Sequence, residues 1–87
     1  MQPIDVIAMF QKAALEVDNR RLPDLKSDTV IAQIGMDSVA IMELVSWFEE
    51  QLNVRLADEE LQKIRTVKDL RDALARVLPP GTSISPA

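Results

Sequence analysis

The residues best suited to chemistry in this chain lie in one turn, Ile34-Gly35-Met36-Asp37-Ser38-Val39, directly before an amphipathic helix. Ser38 offers a hydroxyl, but the chain contains no histidine and no cysteine, so Ser38 has no obvious base to make it a catalytic nucleophile. Free backbone N–H groups at a helix N-terminus can host an anionic group such as a phosphate ester. The turn therefore predicts that Ser38 is an attachment point, supported by Gly35 and Asp37, and predicts no catalytic residue.

The simpler interpretation of this turn is helix capping, because Asp and Ser are both favoured at the residue before a helix. Asp37 and Ser38 would then accept hydrogen bonds from backbone N–H groups, and no group would be attached to Ser38. The tetrapeptide alone does not decide between capping and attachment.

Composition excludes several other functions. Without cysteine or histidine, the 87-residue chain has neither thiolate nor imidazole ligands, and no acidic loop has the spacing of a calcium-binding EF-hand, so we expect no metal. The net charge of −4 argues against nucleic acid as a partner. Because no apolar run is long enough to span a membrane and no signal peptide is evident, we expect a cytoplasmic protein and no membrane partner.

The negative charge is concentrated next to Ser38. Between Asp37 and Glu60 there are seven acids and one base, a net charge of −6, so the remainder of the chain carries +2. Solvated acidic faces are common, but this one would also steer basic partners to that end of the molecule.

Helical periodicity predicts an all-α fold, a small bundle of three longer helices and one short helix. Pro3 suits a first helical turn, residues 19–28 form a long loop, and residues 29–34 form a loop or single turn because no pairing partner is evident. Pro79-Pro80-Gly81 ends the last helix, so residues 1–79 form the domain and residues 80–87 a flexible tail. The apolar stripes of the four helices are Ile4, Ile7, Phe10, Ala14 and Val17; Ile41, Leu44, Val45, Phe48 and Leu52; Leu61 and Ile64; and Val67, Leu70, Leu74 and Val77.

The order of these motifs resembles an acyl carrier protein from about residue 4 to residue 78. Four motifs carry the resemblance at fitting distances: Gly35-Met36-Asp37-Ser38, Glu43-Leu44, the acidic turn Ala57-Asp58-Glu59-Glu60, and Thr66-Val67. In combination they favour the attachment interpretation of Ser38 over simple capping.

The resemblance implies that Ser38 carries a 4′-phosphopantetheine arm, donated from coenzyme A by a phosphopantetheinyl transferase. The arm's thiol would hold acyl groups as thioesters for acyl-transferring, condensing or tailoring enzymes with basic docking patches. The protein itself would be a monomer and not an enzyme. We expect the docking face to comprise Val39, Met42, Glu43, Trp47, Glu49 and Glu50.

Two departures from the family pattern favour a specialised pathway, such as polyketide synthesis, over housekeeping fatty-acid synthesis. Ala40 stands where fatty-acid carriers commonly have an acid, and Trp47 is an unusual bulky aromatic in the recognition helix. Trp47 either closes the bundle as a partly buried side chain or contacts a specific partner, since Trp is enriched at binding hot spots. The alternatives are an aminoacyl or peptidyl carrier, which often has His in place of Asp37, and an unmodified helical interaction module.

Overall fold

The structure, a computed structural model, describes residues 3–85. It is mostly helical, as the sequence predicts. The elements in chain order are β1 (Ile4–Asp5), α1 (Val6–Asp18), a 3₁₀ turn (Ile31–Gln33), α2 (Ser38–Leu52), α3 (Asp58–Lys63), α4 (Val67–Val77) and β2 (Ile84–Ser85). Helix α1 begins later than predicted. Pro3 precedes β1, and the Asp5 carboxylate caps α1 by accepting a 3.0 Å hydrogen bond from the Ala8 N–H.

Local sequence signals account for most ends of the three longer helices. Helices α1 and α2 each end at an asparagine in the left-handed conformation, Asn19 and Asn53, a backbone region that asparagine tolerates better than most residues. Thr66 and Asp69 form a capping box at the start of α4, in which each side chain accepts from the other residue's backbone N–H. These caps fix where the helices start and stop.

The core is aliphatic with two phenylalanines. Phe10 of α1 and Phe48 of α2 are fully buried, with ring centroids 6.3 Å apart. Val77, predicted to face inward, is instead 40% exposed, and Ala73 takes the inward position on α4. Leu25, Ile31, Met36 and Leu56 from the connecting segments complete the core, whose helical members are Val6, Phe10, Ala13 and Ala14; Ala40, Leu44, Val45 and Phe48; and Val67, Leu70, Ala73 and Leu74.

The segment before α2 has a pairing partner that the sequence analysis did not find. Residues 31–33 form the predicted single turn, but Val30 also pairs with Thr66 in an antiparallel bridge. The Ile31 N–H donates to the Arg65 carbonyl at 2.8 Å. These bonds therefore join the segment before α2 to the segment between α3 and α4.

The structure differs at Ile84 and Ser85 from the prediction that residues 80–87 form a flexible tail. This segment forms β2, which pairs in parallel with β1, Ile4 opposite Ile84. The Ile4 N–H donates to the Ser83 carbonyl at 2.9 Å, and Arg71 Nη2 donates to the Ile84 carbonyl at 3.2 Å. Residues 86 and 87 lie outside the described residues, and the predicted boundary at residue 79 excludes a strand that pairs with the start of the chain.

Candidate functional site: the start of helix α2

Gly35 shapes the turn that leads into α2. Its φ is +98°, a conformation that residues with a Cβ rarely adopt. Arg20 lies against this glycine: Arg20 Nη2 donates to the Gly35 carbonyl at 3.3 Å, and a Cβ on Gly35 would approach Arg20 Nη1 to 3.3 Å. Arg20 Nε in turn pairs with the Asp18 carboxylate at 3.1 Å. Gly35 therefore acts through the backbone, by forming the turn and admitting the arginine.

Asp37 is the residue that caps α2. Its Oδ1 accepts a 2.7 Å hydrogen bond from the Ala40 N–H, and its carbonyl accepts from Ile41 at 3.0 Å. Met36 beside it is buried in the core and anchors the turn. Because Asp37 caps the helix, Ser38 is not needed for capping. Ser38 is the first residue of α2 and is exposed.

The position of Ser38 suits a phosphodiester. A phosphate on its oxygen would lie at the N-terminus of a 15-residue helix, where the helix dipole and free N–H groups favour an anion. The exposed hydroxyl is also accessible to a modifying enzyme. The residues at the start of α2 thus fit a phosphate-linked arm.

Five of the six predicted docking residues lie together around Ser38. They line a shallow recess of about 500 Å³ on the side of α2 that faces α1, which we call the outer groove. Glu49 does not line this groove; its Oε2 accepts a 2.8 Å hydrogen bond from the Leu56 N–H in the connection to α3. The outer groove is lined by Val17, Ser38, Val39, Met42, Glu43, Ser46, Trp47 and Glu50.

Trp47 lies between the core and the outer groove. Its indole is partly exposed, as predicted, and stacks edge-to-face on Phe48 with ring centroids 5.4 Å apart and an interplanar angle of 85°. Trp47 Nε1 donates to the Glu16 carboxylate of α1. The sequence analysis missed Glu16, because only the packing of α1 on α2 brings the two residues together across 31 positions.

A second recess lies on the opposite side of α2. This inner cavity, of about 410 Å³, lies between α2, α3 and the 3₁₀ turn. Leu61 of α3 and Ile64, which directly follows α3, were predicted to face inward and lie in its wall. Met42 lines both recesses and separates them. The remaining lining residues are Val30, Ile31, Ala32, Ile41, Leu44, Val45, Arg65 and Leu70.

The charged groups around these recesses do not form a metal site: residues 3–85 contain no group of three or more acidic or other ligating side chains that could hold a metal ion. At the start of α4, backbone N–H groups of Arg65 and Thr66 donate to Asp69 and lower the pKa of its carboxyl from 3.8. This hydrogen bonding stabilises the start of α4. None of the helices in this range is long and apolar enough to cross a membrane.

Comparison with known proteins identifies the class of this site. Residues 9–85 match the family described as "Phosphopantetheine attachment site". An acyl carrier protein homolog of Ureaplasma parvum is 40% identical over 72 residues, which cover 83% of this chain and 84% of that protein. An acyl carrier protein of Syntrophobacter fumaroxidans is 38% identical over 77 residues, covering 84% of this chain and 95% of that protein.

A solved structure supports the same family assignment. The crystal structure of an acyl carrier protein from Thermotoga maritima superposes with a TM-score of 0.75 at 35% identity, covering 82% of this chain and 84% of that one. The chain therefore belongs to the acyl carrier protein family. The predicted fold class, the acyl-carrying function and the 4′-phosphopantetheine cofactor are confirmed. These relatives do not distinguish fatty-acid from polyketide synthesis.

Proposed function

We propose that Ser38 is the residue that carries the phosphopantetheine arm. The observation that supports this most strongly is the division of roles at the start of α2, where Asp37 caps the helix and leaves the Ser38 hydroxyl exposed. The arm supplies the thiol that this cysteine-free chain lacks. Gly35 and Asp37 would position Ser38, Gly35 by its backbone turn and Asp37 by capping α2.

Tethering explains how a protein without catalytic side chains assists a pathway. An acyl group held on an arm meets the next enzyme at a high effective concentration once the carrier has docked. Glu43 and Glu50 are exposed on the docking face and would attract basic patches on a phosphopantetheinyl transferase and on acyl-transferring, condensing or tailoring enzymes. We propose that the protein works as a monomer and catalyses no reaction itself.

The inner cavity is the proposed shelter for the acyl chain, by analogy with the family. Its walls are mainly aliphatic, including Ile41, Leu44 and Leu61. Each methylene that leaves water for such a cavity contributes about 0.8 kcal/mol. A sheltered chain would keep its thioester away from water until an enzyme draws it out.

We propose a dedicated pathway, such as polyketide synthesis, in preference to housekeeping fatty-acid synthesis. Ala40 is buried against the core, so the position that is commonly acidic in fatty-acid carriers contributes no charge to the docking face here. Trp47 adds an aromatic contact to that face instead. The alternative of a peptidyl carrier is less well supported because Asp37 occupies the position that is often His in those domains.

The proposal is tested by loading the protein with coenzyme A and a broad-specificity transferase and measuring its intact mass. One phosphopantetheine should be added to the wild-type protein and none to Ser38→Ala. Ser46→Ala is the matched control, because Ser46 is an exposed serine of the same helix and groove and its loss should leave loading intact. Loading that persists in Ser38→Ala would disprove the assignment.

A further inference from the structure

The two recesses beside α2 differ in how a group attached to Ser38 would reach them. Ser38 itself lines the outer groove, whereas the first α2 residue in the inner cavity is Ile41, one turn further along the helix. A group attached at Ser38 therefore enters the outer groove directly. The inner cavity begins further along the helix, and Met42 is the residue that lines both recesses.

The outer groove has a mixed chemical lining. Its walls are apolar and unusually exposed for such side chains: Val39 is 64% exposed and Met42 is 56% exposed. Val17 and Trp47 complete the walls. Oxygen atoms of Glu43, Ser46 and Glu50 lie along the groove as hydrogen-bond acceptors.

This lining selects the chemistry of an occupant. The carboxylates disfavour an anion, and the open shape leaves a purely aliphatic chain partly in water. A flexible, uncharged chain that alternates apolar carbons with amide groups fits this lining. Its carbons would pack on the apolar walls, and its amide N–H groups would donate to the oxygen acceptors. The pantetheine portion of the arm is such a chain, with a dimethyl-substituted carbon, short methylene segments and two amides.

We infer that the outer groove is a resting site for the pantetheine portion of the arm when its thiol carries no acyl chain. The inference rests on the proposed function, because it requires the arm to be attached at Ser38. Trp47 provides a fixed wall, since Glu16 holds its indole N–H and Phe48 supports its ring. A wall that is already ordered loses little conformational freedom when the arm binds.

A weak intrinsic affinity is sufficient for a tethered occupant. A short flexible tether gives an effective concentration in the millimolar range, so a Kd of about 1 mM would fill the groove about half of the time. The same affinity would give negligible binding of free pantetheine at micromolar concentrations. The site would therefore escape notice in ordinary ligand screens.

Trp47 is the only tryptophan in the chain and reports directly on the groove. We expect the acrylamide quenching constant of Trp47 to fall by up to about half on conversion from the apo protein to the loaded protein, in line with the occupancy above. Methyl NMR signals of Val17 and Val39 should shift in the same samples. Attaching an octanoyl group to the thiol should reverse these changes as the chain moves to the inner cavity.

Two variants provide matched controls. Val39→Gln removes an exposed apolar wall without opening the core and should abolish the difference in quenching between apo and loaded protein. Leu15→Gln changes a comparably exposed apolar residue of α1 that does not line the groove, and the difference should persist.

Intact mass separates this inference from the proposed function. Failure to add phosphopantetheine at Ser38 would overturn both. Complete loading with unchanged quenching and unchanged Val17 and Val39 signals would overturn only the groove assignment. Shifts at Leu61 and Ile64 in place of Val17 and Val39 would show that the unacylated arm occupies the inner cavity, and would also overturn it.

Discussion

The two faces of helix α2 serve different purposes. The inward face, Ala40, Leu44, Val45 and Phe48, is at most 7% exposed and forms the centre of the core. The outward face presents Val39, Met42, Glu43 and Glu50 around Ser38, and all four are exposed. The difference supports the proposal that stability and carrier function depend on largely separate residues of one helix. Substitutions on the two faces should therefore separate folding from acyl transfer.

The largest effect is expected on the inward face. Phe48 is fully buried and contacts both Phe10 and Trp47, so Phe48→Ala should lower the free energy of unfolding by about 3–5 kcal/mol. Urea denaturation followed by circular dichroism measures this loss. Met42→Ala, on the outward face, is the control and should cost much less because Met42 is 56% exposed. Equal losses in the two variants would contradict the separation of the faces.

Trp47 lies at the boundary and should affect both properties. Trp47→Ala removes the edge-to-face contact with Phe48 and the hydrogen bond to Glu16, so we expect a loss of about 2 kcal/mol in the free energy of unfolding. Acyl transfer with the native partner should fall more than loading by a promiscuous transferase. Trp47→Phe, which retains an aromatic ring, should recover most of the stability. A loss as large as that of Phe48→Ala, with unimpaired transfer, would make Trp47 purely structural.

Charge reversal on the outward face should act on binding without unfolding the protein. Glu43→Lys or Glu50→Lys should slow association with partner enzymes by up to about tenfold at low salt. Added salt should lower the association rate of the wild-type protein towards that of the variants. Glu59→Lys is the control, because Glu59 is an exposed acid of α3 that does not line the outer groove. Association rates from stopped-flow measurements that are insensitive to both reversal and salt would place docking elsewhere.

Local patterns in the sequence predicted most of the helices and the position of Ser38. Apolar stripes and capping residues act over three or four positions, so they can be read without knowing the fold. For the same reason Asp37, Thr66 and the start of α3 were placed correctly. The turn before α2 was also predictable, because its motif lies within a few consecutive residues.

The largest missed features join residues that are distant in sequence. The β1–β2 pairing joins residue 4 to residue 84, and the Glu16–Trp47 hydrogen bond spans 31 positions. Glu49 also accepts a hydrogen bond from the Leu56 N–H, a contact that its charge alone does not predict. Such contacts depend on how the helices pack and on which backbone groups need partners. Neither is encoded in the periodicity of one segment.

Asp69 lies at the start of α4, away from both faces of α2. We expect its substitution to have the smallest effect on the free energy of unfolding. Hydrogen bonds from the Arg65 and Thr66 N–H groups lower its folded pKa from 3.8, so between the folded pKa and about 3.8 the unfolded chain binds more protons. The stabilisation is therefore complete above about pH 5 and is lost as the pH falls through the folded pKa. Asp69→Asn should reduce the slope of unfolding free energy against pH below about pH 5, which urea denaturation at a series of pH values measures. Loading of Ser38 at neutral pH should be unchanged in Asp69→Asn, and a loading defect would mean that the start of α4 takes part in docking.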